Sequence, residues 1–149
     1  MKYENKPHLD ELIKTFRHKP GALLPLLHEI QEAQGYIPTE AVPAIAQGLN
    51  LSRAEVHGVI SYYHHFRTTE PARNVIRLCR AEACQARGGE ALAAHAEVAI
   101  EGRDLTLEPV YCLGLCASGP AMQIDETDLH ARLSVEKFDA LIAGLEGEV

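Results

Sequence analysis

Along the first seventy positions, apolar residues recur three and four apart. Leu9, Leu12, Ile13 and Phe16 share one helical face. His18-Lys19-Pro20-Gly21 interrupts the pattern, and Leu23, Leu24, Leu26, Leu27, Ile30 and Ala33 resume it up to Gly35, a natural helix stop. Pro25 fits such a helix only in its first turn, where N–H groups have no helical partner. Thr39 is placed to cap a third short helix through Ala46, which Gly48-Leu49-Asn50 ends. Ser52 and Glu55 have the spacing of a capping box, with Leu51 set to staple onto Val56. That fourth helix is expected to run through Val59 and Ile60 toward Tyr62, Tyr63 and Phe66.

Beyond Thr68-Thr69-Glu70-Pro71 the period changes, which places a boundary between a helical part, 1–70, and a second part, 71–149. Asn74 to Arg80 reads as a strand carrying Val75, Ile76 and Leu78 and delivering Cys79 at its end. Ala86 to Ala99, rich in Ala and Leu, reads as a helix. After a turn at Gly102, Leu105 to Tyr111 alternates as a strand. Ala121 to Ile124 and Leu129 to Leu133 read as two short strands joined by the 125–128 turn. Val135 to Leu145, capped by Ser134, closes the chain as an amphipathic helix with Phe138 and Ile142 on one face. The second part is thus β-α-β-β-β-α, and the whole is α+β.

Composition narrows the function. With 46% hydrophobic and 23% charged residues, a chain of 149 residues can bury a core as one or two domains. The net charge of −7 and the lack of a basic stripe argue against nucleic acid as a partner. No stretch approaches the ~20 apolar residues of a membrane span, and Met1 to Pro7 leads into polar sequence, unlike a secretory signal. A cytoplasmic setting follows as the expectation, and in a reducing compartment four cysteines read as ligands or redox groups rather than disulfides.

Their spacing carries the chemistry. Cys79 and Cys84 form a C-x4-C pair; after 27 intervening residues Cys112 and Cys116 form a C-x3-C pair, and each pair follows a predicted strand. A 2Fe-2S cluster takes four thiolates, two on each iron. Its charge of about −2 calls for backbone N–H groups aimed at sulfur, and Gly114 permits close approach of the backbone. A four-cysteine zinc site has the same ligand count but more often uses C-x2-C pairs, so the spacing favours iron–sulfur. A dithiol redox centre favours C-x-x-C, which is absent. Four merely buried cysteines are not expected to fall into two close pairs.

The assembled motifs resemble one family. Val56-His57-Gly58-Val59-Ile60-Ser61-Tyr62-Tyr63-His64-His65-Phe66, then Cys79-x4-Cys84, then Tyr111-Cys112-Leu113-Gly114-Leu115-Cys116 are similar, in that order, to the thioredoxin-like 2Fe-2S ferredoxins, which include the 24 kDa subunit of respiratory complex I. Within that family, Cys79-Arg80-Ala81-Glu82-Ala83-Cys84-Gln85 most resembles the γ subunits of cytoplasmic, NAD-dependent, molybdenum-containing formate dehydrogenases; complex I and bidirectional hydrogenases use close relatives. The resemblance implies a helical N-terminal bundle for docking, 1–70, and a thioredoxin-like domain, 71–149, with one 2Fe-2S cluster held by Cys79, Cys84, Cys112 and Cys116. It implies a non-catalytic electron-transfer subunit of a hetero-oligomer, with FMN and NAD on a partner subunit and further iron–sulfur or molybdenum subunits beside it. The segment between the pairs departs from the complex I pattern by being shorter around 100–105.

Other residues carry weaker signals. His57 and His64, seven apart, share a helix face that His65 does not, and with no carboxylate beside them a structural or interface role is favoured over a metal site. Tyr62, Tyr63 and Phe66 suit a core or subunit contact. Asp125-Glu126-Thr127-Asp128 reads as a solvated hairpin rather than a calcium loop. Gly114, Gly119 and Pro120 form no dinucleotide fingerprint, which places NAD elsewhere.

Overall fold

The computed structural model describes residues 6–146, with side chains from His8 to Leu145, and the reading of Met1 to Asn5 lies outside them. The chain divides between Glu70 and Pro71 into two compact units.

The first unit holds α1 (Lys6–Phe16), α2 (Leu23–Gln34), α3 (Val42–Leu49) and α4 (Arg53–Tyr62). Pro25 sits in the first turn of α2, and Gly35, at φ 81°, ends that helix with its N–H on the Gln31 carbonyl. Ser52 and Glu55 close a reciprocal capping box: the Glu55 N–H donates to Ser52 Oγ at 3.1 Å, and the Ser52 N–H to Glu55 Oε2 at 2.7 Å. Leu9, Ile13, Leu26, Leu27, Ile30, Ile45, Val56 and Ile60 from all four helices meet in one apolar core.

Two expectations in this unit are corrected. Thr39 caps nothing; it opens a 3₁₀ turn, Thr39–Ala41, and α3 starts after it with Pro43 in its first turn. A proline needs no amide partner there, which moves the helix start toward Pro43. The fourth helix stops at Tyr62, and Tyr63 is extended. Phe66 reaches the core by a turn instead. The buried Gln31 secures that turn, donating to the His65 carbonyl at 2.7 Å and accepting the Arg67 N–H at 2.9 Å. His57, His64, His65, Tyr62 and Tyr63 are all exposed; the His65 ring stands 5.3 Å from that of His28.

The second unit is built on four strands, β1 (Asn74–Cys79), β2 (Leu105–Val110), β3 (Met122–Ile124) and β4 (Asp128–His130), in the order β2-β1-β3-β4. β1 and β2 run parallel with Cys79 opposite Val110, while β3 is antiparallel to both β1 and β4. A parallel pair needs a crossover. Here it contains a short helix, α5 (Glu82–Gln85), and a longer one, α6 (Gly89–Ala99); α7 (Val135–Glu146) closes the unit.

Alternation along β1 sorts the two faces. Ile76 and Leu78 pack with Met122, Ile124, Leu92, Ala96, Phe138 and Ile142 under α6 and α7. On the other face Arg77 bonds Glu108, its register partner, at 3.3 Å and Glu126 at 3.0 Å. Two boundaries differ from expectation by three residues, and one helix is new. The helix expected from Ala86 begins at Gly89, because Gly88, at φ 89°, breaks the run. α5 was not expected, since four residues carry no period. The last strand ends at His130 rather than Leu133, because Arg132, at φ 50°, turns the chain and Leu133 drops into the core.

Candidate metal centre

Strand and helix ends bring the four cysteines to one end of the sheet. Cys79 is the last residue of β1, its N–H on the Ala121 carbonyl at 3.0 Å, and Cys84 lies in α5 with its N–H on the Ala81 carbonyl at 2.9 Å. Both are 2% exposed and share a small apolar cluster with Ala121, flanked by Ala81, Val110, Leu113 and Leu115. Cys112 follows β2, and Cys116 opens a 3₁₀ turn, Cys116–Ser118; both are exposed. All four are free thiols, and Cys112 Sγ lies 3.6 Å from Cys116 Sγ.

Backbone amides converge on the sulfurs. Burial pushes the Cys79 thiol up, but N–H groups of Ala81, Cys112 and Leu113, with the Cys84 thiol, outweigh it and hold Cys79 below the ordinary thiol range. Burial pushes Cys84 above that range, as does the Cys79 sulfur beside it, against an N–H from Ala121. Cys116 is raised mainly by its neighbour Cys112. Like charges at this spacing oppose joint ionisation, so a bound cation is what would let all four thiolates form together.

The Gly114 N–H points at Cys112 Sγ from 3.3 Å. A Cβ at Gly114 would meet nothing within 4 Å, so glycine is needed there for its φ of +77°, not for close approach. Close approach matters at Gly119 instead, where a Cβ would stand 3.0 Å from Cys84 Sγ. Cys112 itself has φ 108°, a conformation that costs a side-chain-bearing residue about 1–3 kcal/mol. Among the described residues no three His, Cys, Asp or Glu side chains converge on one point as metal ligands. The thiols meet pairwise.

Sequence reasoning found the four thiols but missed Ala121, Leu113 and Gly119. The backbone groups leave no trace in residue type, and only the glycine hinted at a tight spot.

A mixed sheet ending in two thiol pairs under convergent amides marks a thiolate-binding redox or metal protein. Residues 9–146 match the family of thioredoxin-like 2Fe-2S ferredoxins; the chain belongs to that family and carries one 2Fe-2S cluster as an electron-transfer protein. It is 33% identical over 146 residues to an NADH-quinone oxidoreductase subunit of Aquifex aeolicus, covering 93% of this chain and 91% of that one. It is 34% identical over 131 residues to the NADH-quinone oxidoreductase counterpart in Escherichia coli strain K12, covering 82% and 78%. Among solved structures it is similar to an NAD+-reducing NiFe-hydrogenase in the air-oxidised state, with TM-score 0.65 and 27% identity over 89% of this chain but only 24% of that one. No helix among the described residues is long and apolar enough to cross a membrane.

Proposed function

We propose that Cys79 and Cys84 ligate one iron and Cys112 and Cys116 the other, and that the chain passes single electrons between this cluster and a flavin on a partner subunit. When bound, the cluster supplies a one-electron redox couple. The protein's own residues supply the ligands, the amide N–H groups that offset thiolate charge, and a loop that keeps one pair near solvent. The observation that carries the reading is the pairing itself: two close cysteine pairs, each with backbone N–H groups directed at its sulfurs.

The assembly is a hetero-oligomer in the cytoplasm, in which FMN and NAD sit on a neighbouring subunit and catalysis belongs to the partners. The relatives support this, being named as subunits of NADH-linked enzymes. In that assembly residues 1–70 dock and 71–149 carry the cluster. The likeness of Cys79 through Gln85 to formate dehydrogenase γ subunits favours that parent enzyme, with molybdenum and further iron–sulfur subunits as neighbours. A quinone-reductase or hydrogenase assembly is the second reading, favoured by the relatives' names.

Anaerobic purification tests the ligand assignment. About two irons and two sulfides per chain, with an EPR signal on one-electron reduction, are expected; a colourless chain with one zinc overturns it. Capture from the host tests the parent: a molybdenum subunit and a flavoprotein are expected, and quinone-reductase or NiFe subunits replace the first reading with the second.

A further inference from the structure

Residue 80 is hydrogen-bonded to chain neighbours of both cysteine pairs. Its N–H donates to the Val110 carbonyl at 2.8 Å, at the end of β2 that leads into Cys112, and its carbonyl accepts from Gln85 Nε2 at 2.8 Å, beside Cys84. Its side chain crosses the Cys84 loop to Glu90 in the first turn of α6. There the contact is a fork on a fork, with Nε donating to Oε1 at 2.8 Å and Nη2 to Oε2 at 2.6 Å. Glu97, two turns further along α6, stands 3.9 Å from Nη1.

Arg80 and Glu90 therefore bracket residues 81–89, which contain Cys84. The loop is tight at its far end as well: a Cβ at Gly89 would come within 2.6 Å of the Cys84 carbonyl oxygen. An isolated ion pair whose side chains are 30% and 51% exposed stabilises little, because water screens it. A bidentate pair differs in fixing orientation together with distance, which Lys cannot do. A bound cluster would feel the two charges as well, because Arg80 directly follows Cys79 in the chain. Reduction adds a negative charge at the irons, which a nearby guanidinium favours and a nearby carboxylate opposes.

We propose that the Arg80–Glu90 pair is a clasp that positions the Cys84 ligand loop and, through its two opposed charges, sets how readily the bound cluster is reduced. The inference rests on the assignment of Cys79 and Cys84 as ligands. Arg80 and Glu90 are positioning residues, acting through the loop and the field.

The test uses the full chain, loaded with its cluster anaerobically, as wild type, Arg80→Lys, Glu90→Gln and the swapped Arg80→Glu/Glu90→Arg. Bleaching by an iron chelator reads the positioning, and an EPR-monitored redox titration reads the field. Arg80→Lys and Glu90→Gln are expected to bleach about 10-fold faster than wild type, the scale of losing a supporting contact to a metal ligand. The swap, which rebuilds the fork, is expected to recover most of that resistance. The midpoint potential should rise in Glu90→Gln, stay near wild type in Arg80→Lys and fall in the swap, which puts the negative charge at position 80. Wild-type bleaching in both single variants, or a swap that bleaches as fast as they do, overturns the clasp. A cluster that survives Cys84→Ser unchanged instead overturns the ligand assignment, and the clasp with it.

Discussion

The two cysteine pairs differ in what surrounds them. Cys79 and Cys84 are buried, one on the central strand and one in a short helix, and their sulfurs receive N–H groups from Ala81, Cys112, Leu113 and Ala121. Cys112 and Cys116 are exposed on a loop after β2, where Gly114 supplies an N–H to Cys112 Sγ. The first pair is placed by the sheet, whose ladder continues through it as the Cys79 and Arg80 N–H groups bond Ala121 and Val110. The second is placed by a loop whose backbone angles, φ 108° at Cys112 and 77° at Gly114, must be held by their surroundings. On the proposed ligand assignment, one pair would anchor a bound group and the other would present it to solvent or to a partner.

The largest expected effect separates the pairs by ligand loss. Cys84→Ala should abolish cluster binding, a loss beyond the ~10–100-fold typical of removing a supporting contact, because the buried site admits no water to replace the thiolate. Cys116→Ala should leave a residual, more labile cluster, since water can reach the exposed iron. Iron and sulfide content after anaerobic loading measures both, and equal loss would erase the distinction. Next comes Gly89→Ala, which drives a Cβ against the Cys84 backbone and should destabilise the unit by about 1–3 kcal/mol in denaturant unfolding. Accelerated chelator bleaching should accompany it.

Smaller still is the difference in reactivity of the cluster-free chain. A maleimide should modify Cys112 and Cys116 about 10-fold or more ahead of Cys79 and Cys84, because access limits the buried pair even though Cys79 is the sulfur held in the more acidic range. Peptide mapping over time reads the order. The smallest effect serves as a control in the helical unit. The Ser52 N–H and hydroxyl hold the Glu55 carboxyl below its ordinary range, so its contribution is present above the unfolded pKa of ~4.3 and is lost as pH falls through the folded value. Glu55→Gln should therefore lower the unfolding midpoint slightly at pH 7 and not at all in acid, with the labelling order unchanged.

Much of the secondary structure was legible because it depends on local pattern. The three-and-four spacing of Leu9, Ile13 and Phe16, the Ser52 box and the Gly35 stop each state a helix or its end within a few residues. The cysteine spacing likewise named the candidate ligands. What failed was short or non-local. The four residues of α5 are too few for a period, and Phe66 enters the core through a turn that Gln31, 34 residues from His65, holds in place.

The sequence alone determined the helical first part, the strand before each cysteine pair, and membership in a thiolate-ligating class, since these follow from periodicity and from the affinity of soft sulfur for iron. Only the tertiary structure decided which pair is buried, which amides face the sulfurs and that Arg80 meets Glu90 across the Cys84 loop. Those facts depend on where β1, β2 and α6 lie relative to one another, and a backbone N–H looks the same in every residue until the fold has aimed it.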